Sequence, residues 1–215
     1  MKWRKCDKAI AYHEASHAVM AVNDGALVRY VELTAGYEPV AGDFVCTGGN
    51  CLHQSYKIGV SRAVQNVDVA LAGRIGENLY TKPDRKRVFD PRNPKWSERA
   101  QADVTLVRDN LARATSSYVS SDTTLIECER KQLRFINAQA RQIASELRQW
   151  WPSVTALAEE LIARCGPSGF RLLTDEIHEI LIGANNGIGR DYIIRLTEVY
   201  AGFGLTADPT VAEVA

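Results

Sequence analysis

The sequence predicts a mainly α-helical fold with a small β element, and three observations carry that prediction. From Val60 onward, apolar residues recur at helical spacing between short breaks rich in Gly, Pro or Asn. Only one region, Ala26 to Thr34 with a shorter stretch at Gly42 to Thr47, alternates in the manner of strands. Near the N-terminus an H-E-x-x-H pentad, His13-Glu14-Ala15-Ser16-His17, lies inside an unbroken helical pattern.

Taken in order, Asp7 to Asn23 contains no Pro or Gly and many good helix formers. Asp7 is the expected N-cap, and Asp24-Gly25 the stop. Ile10, Ala11, Ala15, Ala18, Val19 and Val22 repeat at helical spacing, so this helix is expected in a core with its His face toward a cleft. A turn is expected from Gly36 to Pro39, between the two strands. Gly59 to Tyr80 places Val64, Val67, Leu71, Ile75 and Leu79 in helical register. Residues 81–97, rich in Pro and basic side chains, read as an exposed loop and a potential dock for an acidic partner. Further helices are expected over Glu98 to Tyr118, Thr123 to Trp150, Pro152 to Cys165, Thr174 to Gly183 and Arg190 to Ala201. The domain is expected over 1–206, with 207–215 as a flexible tail.

Composition narrows the function classes. The chain has 215 residues, 46% of them hydrophobic, enough for one large domain or two small ones. Basic and acidic residues balance at 26 each, so no global field favours nucleic acid or an anionic membrane. No apolar run reaches membrane-spanning length, and the basic N-terminus lacks the apolar segment of a secretory signal. The five scattered cysteines suit reduced thiols and a cytoplasmic location.

The pentad carries the chemistry. Residues four apart stack on one helix face, so His13 and His17 can reach one metal ion. Glu14 is rotated off that pair and can take a proton from water at the open position. This points to a zinc peptidase. A catalytic zinc needs a third protein ligand, and the strongest candidates are Glu77 and Asp103, acids within Ala- and Leu-rich helical segments. Cys46, Cys51 and His53 offer the donors of a second zinc site at an unsuitable spacing, and read instead as a Gly-rich loop with free thiols. Tyr37, His53 and Tyr56 are available as donors to a reacting carbonyl.

These motifs, in this order, resemble the peptidase domain of the FtsH-type AAA+ zinc proteases. Ala11-Tyr-His-Glu-Ala-Ser-His-Ala18 is similar to that family's A-Y-H-E-A-G-H-A, with Ser16 in place of glycine. Ala70-Leu-Ala-Gly-Arg-Ile-Gly-Glu-Asn-Leu79 is similar to its L-x-G-G-R-x-A-E-E segment, and Ala102-Asp103-Val with Ala112-Arg-Ala to its S-N-D-L…A-R helix. Leu157 to Leu161 and Thr174 to Ile177 echo its closing pattern. The resemblance implies an FtsH-peptidase-like helical metallopeptidase domain. It implies His13, His17 and Asp103 as zinc ligands, Glu14 as general base, and Glu77 as a support or alternative ligand. It also implies a substrate that adds as a strand to an edge around Val40 to Thr47, with Gly42, Phe44 and Val45 as contacts. Only twelve residues precede the pentad, where the family has membrane helices and an ATPase. The expectation is therefore cleavage of unfolded polypeptides, with folded substrates needing a separate ATPase in trans or assembly of several copies. The alternatives are a catalytically idle zinc-binding adaptor that holds peptides or docks on an ATPase, and a metal-free helical interaction domain.

Overall fold

A computed structural model describes residues 5–40, 42–83, 101–116, 124–184 and 188–202. Nearly all of the expected basic loop at 81–97, and the tail at 207–215, lie outside the described residues.

The helices are α1 (Lys5–Asn23), α2 (Gly59–Thr81), α3 (Gln101–Ala114), α4 (Leu125–Gln149), α5 (Trp151–Arg164), α6 (Thr174–Gly183) and α7 (Arg190–Gly202). The strands are β1 (Leu27–Glu38), β2 (Asp43–Gln54) and β3 (Phe170–Leu173). The protein is thus mainly helical with one small antiparallel sheet, in the order β2-β1-β3. No helix among the described residues is long and apolar enough to cross a membrane.

The β region differs from expectation in three ways. β1 continues through Gly36 to Glu38, which pairs with Asp43, and Gly42 just before β2 adopts φ 64°. β2 runs on past Thr47 to Gln54, so the Cys46 to His53 stretch is strand rather than loop. Its Gly48-Gly49 pair reads as a breaker locally, yet it pairs with Thr34 and Leu33 in the ladder. β3 escapes sequence reading because four residues are too few for alternation to register. It pairs with β1 from Tyr30↔Leu173 to Leu33↔Phe170, leaving β2 with one unpaired edge among the described residues.

α1 is the central element. Ala11, Ala15, Ala18, Val19 and Val22 are fully buried, and α1 packs against α2, α5, β1 and β2. Each fully buried valine contributes roughly 1.5–3 kcal/mol of transfer free energy. Asp7 lies buried within the first turn instead of capping it, because the helix starts at Lys5. Small residues let α1 and α2 approach closely: a Cβ at Gly76 would collide with Ser16 Oγ, whose hydroxyl donates to Tyr12 O at 2.6 Å. Tyr12 stacks on Tyr80 at 4.1 Å and on Trp151 at 5.6 Å, tying α1 to α2 and α5.

Candidate metal centre

One turn of α1 separates His13 from His17, and their Nε2 atoms lie 3.0 Å apart. The first turn of α3 brings Asp103 to the same point. Its Oδ2 lies 3.1 Å from His13 Nε2 and its Oδ1 3.4 Å from His17 Nε2. The ligand atoms of these three residues all fall within 4.8 Å of one another, and theirs is the one such group among the described residues.

The imidazoles are oriented from behind. His17 Nδ1 lies 2.6 Å from the Val69 carbonyl of α2. A carbonyl only accepts, so Nδ1 carries a proton and Nε2 faces the cluster. Glu77 Oε2 lies 3.7 Å from His13 Nδ1 and accepts from Arg74 Nη1 at 2.6 Å. Glu77 therefore stands behind His13, on the nitrogen turned away from Asp103.

The result is two imidazole Nε2 atoms and a carboxylate turned on each other. Asp103 Oδ2 is buried and faces His13 Nε2 at 3.1 Å. A buried carboxylate is costly unless a cation joins it. Tetrahedral bonds of about 2.0–2.2 Å put ligand atoms roughly 3.3–3.6 Å apart, close to the separations found here. Two imidazoles and a carboxylate suit zinc and neighbouring first-row ions alike. The local field agrees. Burial opposes a charge on His13, but hydrogen bonding to Asp103 and Glu77 and the nearby carboxylates outweigh it and raise its pKa to about 10. Burial likewise opposes charge on Asp103, yet the two histidines hold its carboxyl well below the usual range.

Two glycines make room for these side chains. A Cβ at Gly73 of α2 would overlap His17 Nε2 and lie 2.6 Å from His13 Nε2. A Cβ at Gly49 of β2 would lie 2.5 Å from Glu14 Cγ. Glu14 is thus pressed between α1 and β2, and burial raises its pKa against the pull of both histidines. It shares a cleft of about 180 Å³ with the three candidate ligands.

The floor and rims of that cleft come from Val69 and Ala70 of α2, the first turns of α3, and Gly49 to His53 of β2. The edge residues expected to meet substrate lie elsewhere. Gly42 sits in the hairpin turn, Phe44 meets Tyr37 edge to face at 5.6 Å, Val45 is buried, and none lines the cleft. The strand is longer than its pattern suggests, so a later segment borders the site. The Cys46 thiol donates to Gly48 O at 3.4 Å, and burial pushes its pKa up to about 12. Cys51 and His53 do line the cleft, outside the ligand cluster. Burial and the charges of His17 and Arg62 lower the His53 pKa to about 4. Tyr37 and Tyr56 do not line it.

Sequence reasoning missed the Val69 carbonyl and the two glycines. Gly73 and Gly76 did leave a trace: two glycines inside one helix weaken it, which signals close approach by another element. Compared with known proteins, the chain matches no family model and no curated protein.

Proposed function

We propose that this chain is a zinc-dependent endopeptidase acting on extended or unfolded polypeptides. The observation that carries the reading is the position of Glu14, a buried acid in the same cleft as His13, His17 and Asp103, bordered by a strand with an unpaired edge. The resemblance of the pentad and its flanking motifs to the FtsH-type peptidases supports it.

His13, His17 and Asp103 would hold the ion, which supplies Lewis acidity toward water and a peptide carbonyl. Val69 and Glu77 stand behind the two imidazoles and leave their Nε2 atoms facing inward. Glu14 accepts the proton of the attacking water and delivers it to the departing amine. Its raised pKa makes the carboxylate a stronger base for the first half of that task. The unpaired edge of β2 at Gly49 to His53 offers backbone hydrogen bonds to a peptide that enters extended. A folded domain cannot present such a strand, so a folded substrate must first be unfolded.

Metal analysis combined with cleavage of unfolded casein tests the reading. Wild type and Glu14→Gln should each carry about one zinc per chain, while Glu14→Gln loses cleavage by roughly 10²–10⁴-fold. Equal cleavage by the two proteins refutes the mechanism. A zinc-loaded wild type that cleaves nothing refutes the enzyme and leaves the zinc-binding adaptor.

A further inference from the structure

We infer that His53 is the hydrogen-bond donor to the substrate's carbonyl oxygen, approaching the ligand cluster from the end opposite Glu14. The inference rests on the peptidase reading and adds a residue that the pentad does not contain.

The placement follows from strand geometry. Gly49, Cys51 and His53 share one face of β2, since side chains alternate along a strand. Their ladder partners Leu33, Val31 and Val28 are all buried, so this is the face turned toward the interior. Glu14 packs on the Gly49 end of that row. His53 stands about 13 Å along it, at four strand residues of roughly 3.3 Å each, where it feels the charge of His17. α1 runs past the same row, with His17 one turn beyond His13. The acid and the third histidine therefore flank the ligand cluster from two ends.

Hydrolysis of an amide requires two kinds of help at one carbon. A base removes a proton from the incoming water, and a donor meets the carbonyl oxygen as it becomes negative on the other side. Glu14 occupies the first position. For the second, a group must line the cleft, carry an N–H or O–H, and have no other engagement. His53 lines the cleft, is half-buried, and has no hydrogen-bond partner among the described residues. Its imidazole carries an N–H in either protonation state. Asn50 also lines the cleft, but its amide donates to Tyr30 Oη at 3.1 Å. Gln101 also lines the cleft, but it is exposed at the start of α3. His53 is also not among the atoms clustered within 4.8 Å, which separates it from the metal ligands.

The test uses the zinc-loaded full chain as wild type, His53→Ala and His53→Gln. Each is assayed on a quenched fluorescent peptide. Each is also titrated with a phosphinic peptide, whose tetrahedral anion mimics the charged carbonyl, and with the matching reduced-amide peptide, which lacks that oxygen. His53→Ala should lose about 10²–10³-fold in kcat, the usual effect of removing one such donor, with KM little changed. Its phosphinic-peptide affinity should fall by a comparable factor while reduced-amide binding and zinc content stay put. His53→Gln, which keeps an N–H at similar reach, should recover part of both losses. Unchanged kcat and phosphinic-peptide affinity in His53→Ala overturn the inference, and so does loss of zinc, which would make His53 a ligand. If wild type cleaves nothing, the peptidase reading fails on that result alone. The comparison of the two peptides then decides on His53: a selective loss of phosphinic-peptide binding upholds the contact, and an unselective or absent effect removes it.

Discussion

A single methyl group at Gly73 should abolish tight metal binding. The Cβ of Gly73→Ala would sit 2.5 Å from His17 Cε1 and 2.6 Å from His13 Nε2, and would overlap His17 Nε2. Ordinary contacts of this kind settle at about 3.5 Å, so the shortfall is about 1 Å. The rings have little room to yield. His17 is tethered at 2.6 Å to the Val69 carbonyl, and Ala15 and Ala18 beside it are fully buried, which pins α1 in place. Metal–ligand distances tolerate about 0.2 Å, so a displacement several times larger should lower zinc affinity by at least about 10²-fold. Stability moves less. Alanine in a helix interior is favoured over glycine by about 0.5–1 kcal/mol, against an overpacking cost of about 1–3 kcal/mol, so the metal-free protein should melt slightly lower. Competition with a chromophoric chelator measures the affinity, and thermal denaturation of the metal-free protein measures the rest. Wild-type zinc affinity in Gly73→Ala would refute the packing of both imidazoles against α2.

Gly49→Ala supplies the contrast: its methyl would press on Glu14 Cγ instead, so zinc content should hold while peptide cleavage falls. Asp103→Ala should strip the metal, whereas Glu77→Gln should weaken zinc affinity by only about 10-fold, as expected for a partner that orients a ligand; full zinc retention in Asp103→Ala would reverse those roles. Asp68 predicts a pH effect. Burial, then the charges of Asp24 and Glu146, raise its pKa from 3.8 to about 8, so the folded state holds a proton that the unfolded state releases. Stability from this group is complete below about pH 4 and declines as pH rises toward 8. Asp68→Asn should flatten that decline in the urea midpoint of the metal-free protein, and parallel pH profiles for the two proteins would contradict the assignment.

How far the site can be read from sequence depends on how local each part is. His13 and His17 meet because four residues make one helical turn, and no tertiary information is needed. Asp103 and Glu77 cannot be told apart that way, since both are acids in apolar helical segments. What separates them is the packing of α2 on α1. That packing turns Glu77 to the rear nitrogen of His13, beside Arg74, and leaves the inner nitrogens to Asp103 at the head of α3. The helices were legible through their periodicity, to within a few residues at most ends. β3 was not, because Phe170 to Leu173 becomes a strand only through its ladder to β1.

The misplaced substrate edge has the same origin, with consequences for mechanism. Glycines at 48 and 49 look like the end of a strand when judged by propensity, which moved the expected contact to Gly42, Phe44 and Val45. In the fold, the missing side chain at Gly49 is what lets Glu14 reach the cleft while β2 continues beneath it. A residue that is unfavourable for the strand is thus favourable for the site. The conflict between local preference and observed structure falls within the cleft itself, where a functional constraint can outweigh strand propensity. The same continuation carries β2 four residues further, to the position of His53. A strand ending at Thr47 would leave Glu14 without a wall at its back and the far side of the cleft without a donor.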